Sequence, residues 1–101
     1  MRVYISGKIS GLPEDEYTMK FKLAERELFL LGHDAVNPVE IITDAVHGED
    51  HLAYSMRRAR NSFTALMRCD AVWLLDNWLD SPGAKIEVAI AKYLNITVLN
   101  G

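Results

Sequence analysis

The chain carries a single cysteine, Cys69, so no intrachain disulfide can form. That usage suits a reducing compartment, and a cytoplasmic location is expected. No apolar run reaches about 18 residues, so no membrane-spanning helix is expected. Strand-like residues begin at Arg2, so no secretory leader is expected. An excess of positive charge is also missing. Eleven Lys and Arg face 14 Asp and Glu, a net charge of -3. This argues against a polymeric nucleic-acid partner, whose phosphates select a basic stripe. Neither GxGxxG nor GxxxxGK[ST] occurs, so a Rossmann dinucleotide fingerprint and a P-loop are excluded. Internal repeats, low-complexity segments and linkers are absent too. What is present is 101 residues, 50% apolar and 25% charged. That composition fits one globular domain over residues 1–101, with one core.

Apolar periodicity divides the chain into alternating strands and helices. Arg2 to Ser6 is β-branched and aromatic, a first strand, and Gly7 to Pro13 is a glycine-rich loop. Glu14 to Leu31 predicts a helix with Tyr17, Phe21, Ala24, Leu28 and Leu31 on one stripe, stopped by Gly32. Asp34 to Asn37 is a short strand ending at Pro38. Ile41, Ile42, Ala45 and Val46 allow a short helix after it. His51 to Arg68 predicts a longer helix, with Leu52, Met56, Ala59, Phe63, Leu66 and Met67 inward and Arg57, Arg58 and Arg60 on the polar side, a solvated face from which one could reach an anionic ligand. Ala71 to Leu75 is a buried strand, followed by a loop over Asp76 to Asp80. Pro82 to Leu94 predicts a helix with Ile86, Ala89, Ile90 and Tyr93 inward, and Ile96 to Leu99 is a last strand. The alternation implies an open parallel sheet of about four strands with helices on both faces. Right-handed crossovers gather the carboxyl ends of all strands on one edge, where such sheets bind ligands.

That edge collects the chain's polar and glycine-rich pieces. Ser81 is a good N-cap and Pro82 suits the first helical position. The free amides of Gly83 and Ala84 are expected to point at an anion, with Lys8 adding a formal charge. The plainer alternative is a helix start and a solvated lysine. Glu87 shares a helix face with the small residues Gly83, Ala84 and Ala91, which leaves its carboxylate room to reach the crevice. There it is a candidate nucleophile for a sugar carbon; otherwise it is a surface glutamate. Tyr4 points to the opposite sheet face from Val3 and Ile5, and its phenol can orient a carboxylate or simply fill the core. Trp78 can stack on a base or sugar, cover the core, or bury itself in a subunit contact. Asp70 starts a strand at the far edge. His47 and His51, separated by a glycine-containing loop, do not share a helix face, so no metal is expected. No cofactor is expected either.

An ordered series then resembles the nucleoside 2-deoxyribosyltransferase-like superfamily. It comprises Tyr4-Ile5-Ser6-Gly7 with Ile9 and Gly11, Gly32-His33, Asn37-Pro38, Cys69-Asp70-Ala71, Trp78, and Ser81-x-Gly83-Ala84-x-x-Glu87-x-Ala89. It spans nearly the whole chain and looks nearest to small phage and bacterial proteins of unassigned function. The resemblance implies a three-layer αβα, flavodoxin-like fold and oligomers that cleave N-glycosidic bonds of deoxynucleosides or their monophosphates. It makes Glu87 the nucleophile and Tyr4 the residue that orients it. Ser81 stands where nucleoside transferases carry an aspartate and is similar to a phosphate-contacting serine of the nucleotide-hydrolysing branch; Lys8 falls at another phosphate position. The implied substrate-binding set is Gly7, Lys8, Ile9, Gly11, Asn37, Asp76, Trp78, Ser81 and Gly83. One departure stands out. Catalytic members carry an aspartate eight residues before the acid that starts the third strand, and here that residue is Ser62, beside Asn61.

The expected function is therefore a nucleotide-binding domain of a homo-oligomer. It would hydrolyse or transfer across the N-glycosidic bond of a deoxynucleoside 5′-monophosphate. The alternatives are a binding or interaction module without turnover, which the missing aspartate favours, and a structural oligomer with an empty crevice.

Overall fold

The computed structural model describes residues 1–42 and 46–100. Four parallel strands form one sheet: β1 (Arg2–Ser6), β2 (Asp34–Val36), β3 (Ala71–Leu74) and β4 (Thr97–Asn100), in the order β2-β1-β3-β4. Three helices connect them: α1 (Glu14–Leu30), α2 (His51–Met67) and α3 (Pro82–Tyr93). The central strands β1 and β3 are buried almost throughout, whereas the edge strands β2 and β4 are only partly covered. This is why 3–5 and 71–75 are continuous apolar runs, whereas the edge strands mix polar and apolar residues.

Alternation along each strand builds two cores. Val3, Ile5, Ala71 and Trp73 face α1, where Phe21, Ala24 and Leu28 meet them. Tyr4, Val72 and Leu74 face the other way, against Leu66 of α2 and Val88 and Ala91 of α3. The layers are thus one helix, the sheet, and two helices. The chain steps from β1 outward to β2, then crosses to β3 on the other side of β1. That reversal places a switch point at the carboxyl ends of β1 and β3.

Several local expectations shift. Leu31 caps α1 rather than extending its stripe and is 59% exposed. Gly32 takes a φ of +85°, the left-handed stop that glycine permits. After β2, Asn37 caps a short 3-10 turn, Pro38–Ile41, its Oδ1 accepting from Val39 N at 3.0 Å. Of the helix expected from Ile41, Ile42, Ala45 and Val46, Ile41 ends that turn, Ile42 and Val46 are not helical, and Ala45 lies outside the described residues. Within the loop of Asp76 to Asp80, Trp78–Asp80 forms another 3-10 turn.

The largest correction concerns the two helices on one face. In α3 the residues turned inward are Ala84, Glu87, Val88 and Ala91, while Ile86 and Tyr93 are exposed at 50% and 86%. Two stripes compete on that helix, and the small-residue stripe lets it lie close to the sheet. In α2 only Leu66 is buried; Leu52, Met56 and Met67 are exposed, and Ala59 and Phe63 are half-buried. The apolar sides of both helices therefore leave uncovered surface.

The loop after β1 is held tightly to β3. A Cβ on Gly7 would stand 2.6 Å from Leu75 Cδ1 and 2.9 Å from Leu75 Cβ. Leu75 is itself buried in the α1-side core, so it has little space to yield. Gly7→Ala is accordingly expected to cost about 1–3 kcal/mol of stability. Thermal unfolding measures this as a lowered midpoint; an unchanged midpoint would mean that the loop relaxes freely.

Candidate active site

The switch point opens into a cleft of about 330 Å³ among the described residues, within the size range of small-molecule sites. Its floor is the carboxyl end of β1. Tyr4 and Ser6 lie two residues apart on one strand, so their side chains share a sheet face. Both reach the same carboxylate. Tyr4 Oη donates to Glu87 Oε2 at 2.5 Å, and Ser6 Oγ donates to Glu87 Oε1 at 2.8 Å. Each carboxylate oxygen thus holds one donor and keeps further acceptor capacity toward the cleft.

Glu87 is buried, with 7% of its surface exposed. Burial pushes its carboxyl above the ordinary range, and the hydrogen bonds from Tyr4 and then Ser6 pull it back. The Tyr4 phenol is driven far upward, first by burial and then by the neighbouring carboxylate charge; the Ser62 hydroxyl opposes that rise. Tyr4 therefore stays a donor at any ordinary pH. The pair is a neutral phenol clamping a carboxylate that is only partly desolvated.

One wall is the start of α3. Ser81 Oγ accepts from Ala84 N at 3.1 Å, a serine N-cap followed by Pro82 at the first helical position. This corrects one expectation: the Ala84 amide is occupied by the cap and is not available to an anion. Ser81 keeps its hydroxyl proton for donation into the cleft, which it lines together with Gly83. The loop after β1 supplies Gly7, Lys8, Ile9 and Ser10. Lys8 N donates to Asn77 Oδ1 at 3.0 Å, tying this loop to the loop after β3.

The other wall is α2, which presents Ser55, Arg58, Ala59, Ser62 and Phe63 to the cleft. Its neighbouring Arg57 is turned elsewhere, with Nε 2.9 Å from Glu49 Oε2 and Nη2 3.0 Å from Glu49 Oε1. Ser62, the residue standing in place of an expected aspartate, does line the cleft on the Tyr4 side. A hydroxyl there has no acid function at neutral pH.

Of the residues expected from the sequence, the cleft brings together Tyr4, Gly7, Lys8, Ile9, Ser81, Gly83 and Glu87. Gly11, Asn37, Asp76 and Trp78 are not among its lining. Gly11 is exposed at a φ of +87°, where the loop turns toward α1. Asn37 is buried, donating from Nδ2 to Glu25 Oε2 at 3.0 Å, and its neighbour Pro38 lines the cleft instead. Asp76 is exposed and lies 3.3 Å from Lys20 Nζ. Trp78 packs against the core on the α2/α3 side. Asp70 sits at the opposite edge, its Oδ2 accepting from Arg2 N at 3.0 Å. No cluster of three metal-ligating side chains occurs among the described residues.

Sequence reasoning missed Ser6, although its i, i+2 relation to Tyr4 was a usable signal. It also missed Asn77 and Ser55, and it read Arg57, Arg58 and Arg60 as a solvated face from which one could reach an anionic ligand, without selecting Arg58. No local pattern distinguishes Arg58 from Arg57; only helix packing against the cleft separates them.

The parallel sheet, its 2-1-3-4 order and a cleft at its switch point define a flavodoxin-like αβα domain. The chain belongs to the DUF4406 family, a domain of unknown function, whose profile matches residues 1–100. Among solved structures, it is similar to a 2-deoxyribosyltransferase from the psychrotolerant bacterium Bacillus psychrosaccharolyticus. The TM-score there is 0.75 at 20% identity, over 99% of this chain and 71% of that one. It is also similar to a conserved protein from Enterococcus faecalis V583, with a TM-score of 0.65 at 18% identity, over 98% of this chain and 61% of that one. No curated protein matches. At these identities the likeness establishes the fold.

Proposed function

We propose that this domain cleaves the N-glycosidic bond of a deoxynucleoside 5′-monophosphate, by hydrolysis or by transfer to another base. The observation that carries the reading is the Glu87 carboxylate, buried at the cleft floor and held by Tyr4 and Ser6. The similar bacterial structure described as a 2-deoxyribosyltransferase supports the reaction class.

A carboxylate oxygen of Glu87 attacks C1′ of the sugar, and the C1′–N bond breaks to release the base. Water then attacks C1′, regenerating the carboxylate and leaving the free sugar phosphate; in net, the water hydroxyl goes to the sugar and its proton to the base. With a second base as acceptor, the same intermediate gives transfer. Tyr4 and Ser6 orient the nucleophile. The Ser81 hydroxyl and the Lys8 ammonium hold the 5′-phosphate at the cleft's other end. The protein acts in the cytoplasm as a homo-oligomer of one-domain subunits. The exposed apolar residues of α2 and α3 suit contacts between copies.

Incubation with deoxynucleoside 5′-monophosphates is expected to release free base, detected by chromatography. Absence of base from every monophosphate would overturn the catalytic reading. A second reading is favoured by one observation: Ser62 supplies no proton to the leaving base. In that case the domain binds the nucleotide without turnover, and calorimetric titration would show binding where chromatography shows no base.

A further inference from the structure

We infer that Arg58 is the cation that makes the cleft select a phosphorylated ligand over the corresponding nucleoside. This rests on the nucleotide reading above for the identity of the ligand, but on separate observations for its charge.

Two cations line the cleft, Lys8 and Arg58. Neither forms an ion pair among the described residues, where the ion pairs are Lys20–Asp76 and Arg57–Glu49. The guanidinium of Arg58 is steadied by the Tyr54 ring, 5.6 Å from its centroid, a contact that leaves its charge unneutralised. Lys8 and Arg58 give the cleft two cations against the single carboxylate of Glu87, a positive surplus in a chain of net charge -3. A cleft with a surplus of positive charge focuses the field and draws anions to it.

The position of Arg58 fits one end of a nucleotide. Ser62 on α2 lies on the Tyr4 side of the cleft, where Glu87 is held. Arg58 precedes Ser62 by four residues, about 6 Å along the helix axis. On the opposite wall Gly83 precedes Glu87 by the same four residues, again about 6 Å. Both walls therefore step one helical turn away from the reacting end, and Lys8 and Arg58 line the same cleft as the start of α3. A nucleoside 5′-phosphate has the same design, with C1′ and phosphorus separated by the breadth of a ribose and one exocyclic carbon. Arginine suits the phosphate because its planar fork can donate two hydrogen bonds to two oxygens.

The test is calorimetric binding of a deoxynucleoside 5′-monophosphate, the matching deoxynucleoside and inorganic phosphate to wild-type protein, Arg58→Ala and Arg58→Lys, with circular dichroism to verify folding. Arg58→Ala is expected to weaken monophosphate binding by about 10- to 100-fold and to leave nucleoside binding unchanged. Arg58→Lys should recover part of the loss, and inorganic phosphate should compete only when a cation is retained. Equal weakening of monophosphate and nucleoside, or no weakening of either, overturns the assignment. Because binding is measured without turnover, Arg58-dependent affinity with no base release would sink the glycosidase reading and leave this one standing. Base release that persists undiminished at limiting monophosphate in Arg58→Ala would do the reverse.

Discussion

Glu87→Gln is expected to lower base release from a deoxynucleoside 5′-monophosphate by on the order of 10³-fold or more, because the amide has no nucleophilic oxygen anion. Binding of the same nucleotide should change little. Gln preserves the shape of the side chain, and its carbonyl can still accept from Tyr4. A single-turnover assay with calorimetry alongside separates the two effects. Wild-type rates in this variant would remove Glu87 from the chemistry.

The same substitution should raise stability at neutral pH. Burial lifts the Glu87 pKa in the folded protein above its unfolded value, despite the two hydrogen bonds. Between those two values the folded state binds more protons than the unfolded state, so stability falls as pH rises through the window. Below the unfolded value Glu87 is protonated in both states, and the penalty is absent. The advantage of Glu87→Gln should thus grow as pH rises from the ordinary carboxylate range through the folded pKa, then level off. Denaturant unfolding over this pH series would reveal it. A variant that gains stability while losing activity is the expected signature of a functional carboxylate held in an unfavourable place.

Tyr4→Phe carries the second large effect. The phenol supplies the larger of the two hydrogen bonds that hold Glu87 ionised. A hydrogen bond to a charged group contributes about 1.5–3 kcal/mol, so the loss of base release should be roughly 10- to 150-fold. The pH profile distinguishes positioning from simple packing. Without Tyr4 the Glu87 pKa rises further, a smaller fraction is ionised at a given pH, and the acid limb of kcat/KM moves to higher pH. Ser6→Ala should move it in the same direction by less. An unshifted acid limb in Tyr4→Phe would show that the phenol does not control the carboxylate. The phenol itself contributes no limb at ordinary pH, since burial and the Glu87 charge keep it protonated.

The central strands, the turn residues and the helix start at Ser81 were legible because each depends on neighbours in sequence. Val3, Ile5 and the run from Ala71 to Leu74 are buried on both faces and read as apolar runs. Gly32 takes a positive φ at the end of α1, as short-range chemistry demands. The inward faces of α2 and α3 were misread for a related reason. Ile86 and Tyr93 have helical spacing and apolar bulk, but so does the small stripe of Ala84, Val88 and Ala91. Periodicity reports both stripes, and only closeness to the sheet selects between them.

The stretch from Cys69 to Glu87 was settled as strand, loop, N-cap and helix by local pattern alone, with Glu87 on a face of small residues. Three things awaited the tertiary structure. Glu87 meets Tyr4 across 83 residues and Ser6 across 81, a convergence that sheet order creates and sequence spacing does not encode. Asp76 and Trp78 stand in the right loop, yet Lys20 and the core take them. Arg58 faces the cleft while its neighbour Arg57 pairs with Glu49. A strand or cap is decided by a few adjacent residues; the partner of a side chain is decided by which surfaces the core's burial brings together.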